Sequence, residues 1–263
     1  MLKNLPHPDE ILNGVRKNGY IIFDNAFDTS LFDEMSKFWI DCFKESEREK
    51  FSNKDIYGAS RSLGDSNYKS FRNSEEVVMY RITEYPWNLS IHDPTRKLIY
   101  EMNKVRNLAL GLNEHHGSLY EPHTEVLFNQ INCYPSGIGK MFAHKDTKHD
   151  KLLLSCMFNI TIKKTHFEKG GLYLKFKDEK INIDDQMSPC SVIYYNGNLV
   201  HGVDKISSES NIGRIAGYPM KQFFLTNNKL PGYLKTLISI DNGIKRRLKL
   251  KTASKQGNSA LKD

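Results

Sequence analysis

A mainly β protein with flanking helices, an α+β arrangement, is the fold class this sequence predicts, and three observations carry it. Short β-rich runs crowd the second half of the chain, each bounded by Gly- or Lys-containing turns. Helical periodicity is confined to the first half, so there is no βαβ alternation and a Rossmann-type sheet is excluded. A chain of 263 residues with 39% hydrophobic residues can bury a sizeable core, as one large domain or two small ones. Many short strands with turn signals close as a sandwich or a barrel.

In chain order, Gly19-Tyr20-Ile21-Ile22-Phe23-Asp24 reads as a short strand. Asp28-Thr29-Ser30 then offers capping oxygens, and Leu31, Met35, Phe38, Trp39, Cys42 and Phe43 recur at helical spacing to form one core-facing stripe. Residues 52–92 mix Ser, Asn, Gly, Tyr and Arg with weak periodicity, which predicts a long loop region with short strands. Asp93-Pro94 opens a second helix through Leu98, Met102, Val105 and Leu108. Strands are expected at Glu125–Tyr134, Leu152–Ile162, Leu172–Phe176, Lys180–Ile183, Ser191–Asn196 and Arg214–Leu225. The expected organisation is a single domain over residues 1–240, with a helical and lid part to about 124, a barrel core over about 125–228, and a basic tail at 241–263.

The net charge of +7 sits at one end. Residues 229–263 hold nine Lys or Arg against two acids, and the rest of the chain is balanced. The run Lys245-Arg246-Arg247-Leu248-Lys249-Leu250-Lys251 has the composition of an arm for phosphates or an acidic partner, and equally that of a solvated helix end. No apolar run is long enough to span a bilayer and no secretory signal is legible, so a cytoplasmic protein is expected. Cys42, Cys133, Cys156 and Cys190 have no C-x-x-C spacing and read as reduced, structural residues.

His144-Lys145-Asp146 carries the chemistry. On an extended segment the side chains of residues i and i+2 share a face, so imidazole and carboxylate can reach one metal. His201, after the Ser191–Asn196 run, supplies a third ligand. Two histidines and a carboxylate on one side of a metal leave open positions for a chelating co-substrate and O₂, as in non-haem Fe(II) oxygenases. A hydrolytic zinc site is a poorer match, because the second His of H-x-H-x-D-H is missing. His115, His116 and His123 read as turn or surface residues. No P-loop, dinucleotide-binding glycine fingerprint or nucleophile elbow occurs.

The order of elements from 128 to 225 resembles the Fe(II)/2-oxoglutarate-dependent dioxygenase superfamily, of the prolyl-hydroxylase-like kind. The matching residues are Asn132-Cys133-Tyr134, His144-Lys145-Asp146, Gly170-Gly171-Leu172-Tyr173-Leu174, Pro189 through Tyr195, His201-Gly202-Val203 and Gly213-Arg214-Ile215-Ala216; Gly19 to Phe23 resembles the opening strand. The resemblance implies a double-stranded β-helix, a jelly-roll barrel of cupin type with the metal in its mouth. It implies His144, Asp146 and His201 as metal ligands and catalytic centre, and Arg214 as the fork for the distal carboxylate of 2-oxoglutarate. Tyr134 and Asn132, on one face with Gln130, are the further co-substrate candidates. Ala216 stands where Ser or Thr commonly follows the arginine, so Tyr134 or Tyr218 is expected to supply that hydroxyl.

The implied cofactors are Fe(II), 2-oxoglutarate and O₂, with ascorbate as a candidate reductant. The carboxylate ligand favours hydroxylation over halogenation. Tyr57, Arg61, Tyr68, Arg72, Tyr80, Arg81 and Trp87 are expected to border the mouth and to suit a small polar or anionic substrate. The alternatives are an oxygenase acting on a protein side chain or nucleic acid, and a cupin-like binding protein without turnover.

Overall fold

The computed structural model describes residues 6–51, 68–86, 89–90, 93–118, 125–146, 153–207 and 212–223. The basic tail and the lid residues Tyr57, Arg61 and Trp87 lie outside the described residues, as do His123 and the side chain of Tyr68. Among the described residues no helix is long and apolar enough to cross a membrane.

Helix α1 spans Pro8–Asn18 and was not anticipated from periodicity. Its ends explain it: the His7 ring accepts from the Asp9 amide, Glu10 reaches back to the His7 amide, and Gly19 closes it in the left-handed region at φ 82°. Strand β1 follows at Tyr20–Phe23, and α2 at Thr29–Cys42. The buried stripe of α2 is Phe32, Met35, Ser36 and Trp39, while Phe38 is 43% exposed and falls off the expected face. A short α3 occupies Glu45–Arg48.

The region expected to be mostly loop contributes two strands, β2 (Tyr68–Asn73) and β3 (Val77–Glu84). Helix α4 runs over Arg96–Ala109, starting later than Asp93-Pro94 suggests. Asp93 accepts from the amides of Thr95 and Arg96 and from the Thr95 hydroxyl, so its carboxylate organises a turn before the first helical residue. Then come β4 (Glu125–Tyr134), β5 (Lys140–His144), β6 (Leu154–Asn159), β7 (Gly171–Phe176), β8 (Glu179–Asn182), β9 (Val192–Asn196), β10 (His201–Asp204) and β11 (Arg214–Phe223).

The strands form one curled antiparallel sheet in the order β1-β9-β6-β11-β4-β3-β5-β10-β7-β8, with β2 on β3. Strand β3 bridges β4 and β5, so the sheet draws on both sides of residue 124. Alternation along the strands separates two apolar layers. Leu127, Ile131, Cys133, Cys156 and Phe158 face the helices, where they pack with Ile11, Trp39, Leu98 and Met102. Tyr134, Met157, Leu172, Ile193 and Val203 face inward. Gly217 allows the two central strands to close: a Cβ there would collide with the Phe158 ring. Cys133, Cys156 and Cys190 are buried and all four cysteines are free thiols, in line with the structural role expected of them.

Candidate active site

Pairing of β5 with β10 puts His144 and His201 in register, their rings 4.3 Å apart. Each ring is tied at Nδ1, which donates to a backbone carbonyl: Phe142 at 3.0 Å for His144, Leu199 at 2.8 Å for His201. A carbonyl can only accept, so Nδ1 carries the proton and Nε2 presents its lone pair. Both Nε2 atoms face Asp146 Oδ1, at 3.7 and 3.4 Å. The other carboxylate oxygen, Oδ2, accepts from Ser155 Oγ at 3.3 Å, and the Asp146 amide donates to Gly197 O. Ligand atoms of the trio lie within 4.8 Å of one another.

Burial, then the adjacent His201, lowers the pKa of His144. Burial would lower His201 too, but the hydrogen bond and charge of Asp146 hold it above the ordinary value. Asp146 moves the opposite way: burial pushes it up, yet His201, His144 and Ser155 together keep it below the usual carboxylate range. The trio is a negative acceptor between two imidazoles, a site where a metal cation replaces a shared proton. Two Nε2 atoms and one carboxylate oxygen, all oriented from behind, are a donor set that fits Fe(II).

These residues border a cavity of about 720 Å³. Asn132 and Tyr134 line it, with Gln130 on the same face of β4, as the strand period requires. Tyr195, Tyr218 and Arg81 line it as well. Arg214 does not. Its guanidinium is fully buried, with Nε and Nη2 donating to the two oxygens of Asp184 at 2.5 and 3.1 Å and Nη1 donating to Tyr218 Oη at 2.8 Å. The Tyr134 ring lies 5.8 Å away. Burial opposes the guanidinium charge, but Asp184 and Tyr218 hold its pKa above the usual arginine value. Of the two tyrosines expected near Arg214, Tyr218 is the one whose hydroxyl accepts from its guanidinium.

Ser155, Gly197 and Asp184 were not read from the sequence as site residues. A lone Ser, Gly or Asp carries no spacing signal, and each meets its partner only through strand pairing. Of the expected mouth residues, Arg72 and Arg81 line the cavity, whereas Tyr80 stacks on Phe71 at 4.3 Å in the helix-facing layer. His115 is exposed beside Glu114, as a turn residue should be.

No family model and no curated protein matches the sequence. Solved structures do resemble it. A prolyl-4-hydroxylase from Pseudomonas putida superposes with a TM-score of 0.53 at 12% identity, over 82% of this chain and all of that one. EctD from S. alaskensis, with bound Fe, gives 0.51 at 12% identity, over 84% of this chain and 79% of its own. The jelly-roll fold expected from the sequence is the one these two structures share with this chain. At this identity the likeness speaks for the fold.

Proposed function

We propose that this chain is an Fe(II)- and 2-oxoglutarate-dependent oxygenase that hydroxylates an unactivated C–H bond of a small polar molecule, such as an amino acid derivative or a natural-product intermediate. The observation that carries the reading is the His144, Asp146 and His201 trio, with Nε2, Oδ1 and Nε2 converging while every other heteroatom is tied back. Those three residues would hold the iron. When bound, the metal and co-substrate supply the oxidising chemistry, coupled to decarboxylation of 2-oxoglutarate to succinate.

The chain's own residues position and shield. Ser155 holds the Asp146 carboxylate, the Gly197 carbonyl holds the Asp146 amide, and the Phe142 and Leu199 carbonyls fix the ring tautomers. Asn132 and Tyr134 stand on the cavity wall where a chelating keto acid would lie. That acid's second carboxylate would meet in Arg214 a guanidinium already held by Asp184 through Nε and Nη2 and by Tyr218 through Nη1. The cavity volume falls in the range of small-molecule pockets, which supports a metabolite over a macromolecule.

An anaerobic Fe(II) titration followed by 2-oxoglutarate and O₂ tests the reading. Succinate and CO₂ should form slowly without substrate, and His201→Ala should abolish both. Stoichiometric metal binding with no succinate would instead identify a cupin-like binding protein.

A further inference from the structure

The register of β11 with β6 stops after two pairs, Ala216 with Asn159 and Gly217 with Phe158. On their other edges both strands stay paired, β11 with β4 as far as Phe223 and β6 with β9 back to Leu154. Pro219 helps to open the gap, because it has no N–H to give across it. The consecutive residues Leu153 to Cys156 and Tyr218 to Lys221 all line the cavity that the trio borders. Successive side chains of a strand point to opposite faces, so a cavity touching four in a row meets the strand at its edge. The cavity thus runs through the gap, from the inward face to the side covered by α4.

Arg106 of α4 closes that end. It is 3% exposed yet belongs to the lining. Its Nη1 donates at 2.6 Å to the Pro219 carbonyl, which β6 leaves unpaired, and Nη2 donates to Asn103 Oδ1 at 2.7 Å. Both acceptors are neutral. Among the described residues no carboxylate pairs with this guanidinium, and its Nε is buried without a hydrogen-bond partner. A buried cation in that state is costly until an anion meets it. Leu110, one helical turn on, and Leu112 and Leu153 are large apolar side chains exposed on the same lining. Lys221, whose ammonium donates to Asn107 Oδ1, brings a second positive charge. A buried guanidinium beside a leucine rim suits a carboxylic acid with an apolar body.

We propose that Arg106 and the gap between β6 and β11 form a binding site for the carboxylate of such an acid, whose carbon skeleton reaches through the gap toward the trio. That the acid is the substrate rests on the oxygenase reading; that the site binds it does not.

Calorimetric titration of the metal-free protein with octanoate, and with 1-octanol, which keeps the chain and lacks the charge, reads the site without turnover. Octanoate should bind at least about tenfold more tightly than octanol. Arg106→Gln should remove that preference while octanol binds as before, and Arg106→Lys should restore part of it. Arg106 also braces the strand edge, so Leu112→Glu, at an exposed position, provides a second reading should Arg106→Gln fail to fold. Its like charge should weaken octanoate at least about tenfold more than octanol. The titration repeated with Fe(II) and 2-oxoglutarate bound, without O₂, separates this site from that of the co-substrate. Octanoate should bind there as it does to the metal-free protein.

Competition between the two acids overturns the proposal. So does octanoate binding no better than octanol, or a folded Arg106→Gln or Leu112→Glu protein that keeps the preference intact. In each case succinate formation by the parent protein still upholds the oxygenase reading. Octanoate held through Arg106 by a protein that forms no succinate has the opposite meaning: the site stands and the oxygenase reading falls.

Discussion

A Cβ built on Gly197 would lie 2.5 Å from Ser155 Oγ and 2.9 Å from Asp146 Oδ2, so this position must stay bare for the carboxylate to reach its partners. Gly197→Ala should push Asp146 off its rotamer and lower Fe(II) affinity by about 10- to 100-fold, the usual cost of losing an outer-shell partner, with little change in the unfolding midpoint of the metal-free protein. Equilibrium metal titration reads the first effect and thermal unfolding the second. Glu84 shows a different use of burial. Desolvation, then the Asp93 carboxylate, push its pKa up to about 8, against the Asn129 amide that donates to it. The unfolded carboxyl titrates near the ordinary glutamate value of 4.5. Between these values the folded state holds a proton that the unfolded state has lost. Glu84 therefore makes stability fall as pH rises from about 4.5 to 8, by at most about 1.4 kcal/mol per unit, with no further loss above. Glu84→Gln should flatten that slope, checked by denaturant midpoints at pH 5.5 and 8; an unchanged slope would mean that the carboxyl is already ionised in the fold.

At the scale of elements, the helices serve the sheet as cover. Helix α2 places Trp39, 2% exposed, against Phe43 and Phe38, within the same layer as Ile131 and Phe158 of the central strands. Trp39→Ala should cost about 3–5 kcal/mol, because the strands behind it cannot collapse into the space. Chemical unfolding measures the loss, and the Fe(II) affinity of the folded fraction should stay near that of the parent, since the trio hangs from β5, β10 and the residues after β5. Periodicity made α2 and α4 legible in the sequence, while α1 escaped because its apolar content is only Ile11, Leu12 and Val15 and its stability comes from the caps. Short strands were expected within residues 52–92, but the position of β3 there was not legible, for another reason. The strand is buried on both faces, so its residues do not alternate and Val77 to Glu84 reads as a weak mixture.

For the whole molecule, metal and fold are linked. The trio joins β5 to β10 across the mouth, so a cation bound there holds ligands from distant parts of the chain and stabilises only the folded state. Anaerobic Fe(II) at a hundredfold excess over its dissociation constant should add about 2.7 kcal/mol, and the melting temperature should rise by roughly 5–10 °C. Chelator should reverse the rise, and Asp146→Ala should lose it entirely.

The sequence by itself determined the strand-rich second half, the shared face of Gln130, Asn132 and Tyr134, and the identity of the His-Asp-His trio. Period, turn residues and short-range spacing are properties a linear chain displays. Only the tertiary structure decided that Arg214 meets Asp184 and that Arg81 meets Asn132. Both contacts are products of register and of which face a strand turns inward. A charged side chain chooses its partner among groups that approach it only after the sheet has curled.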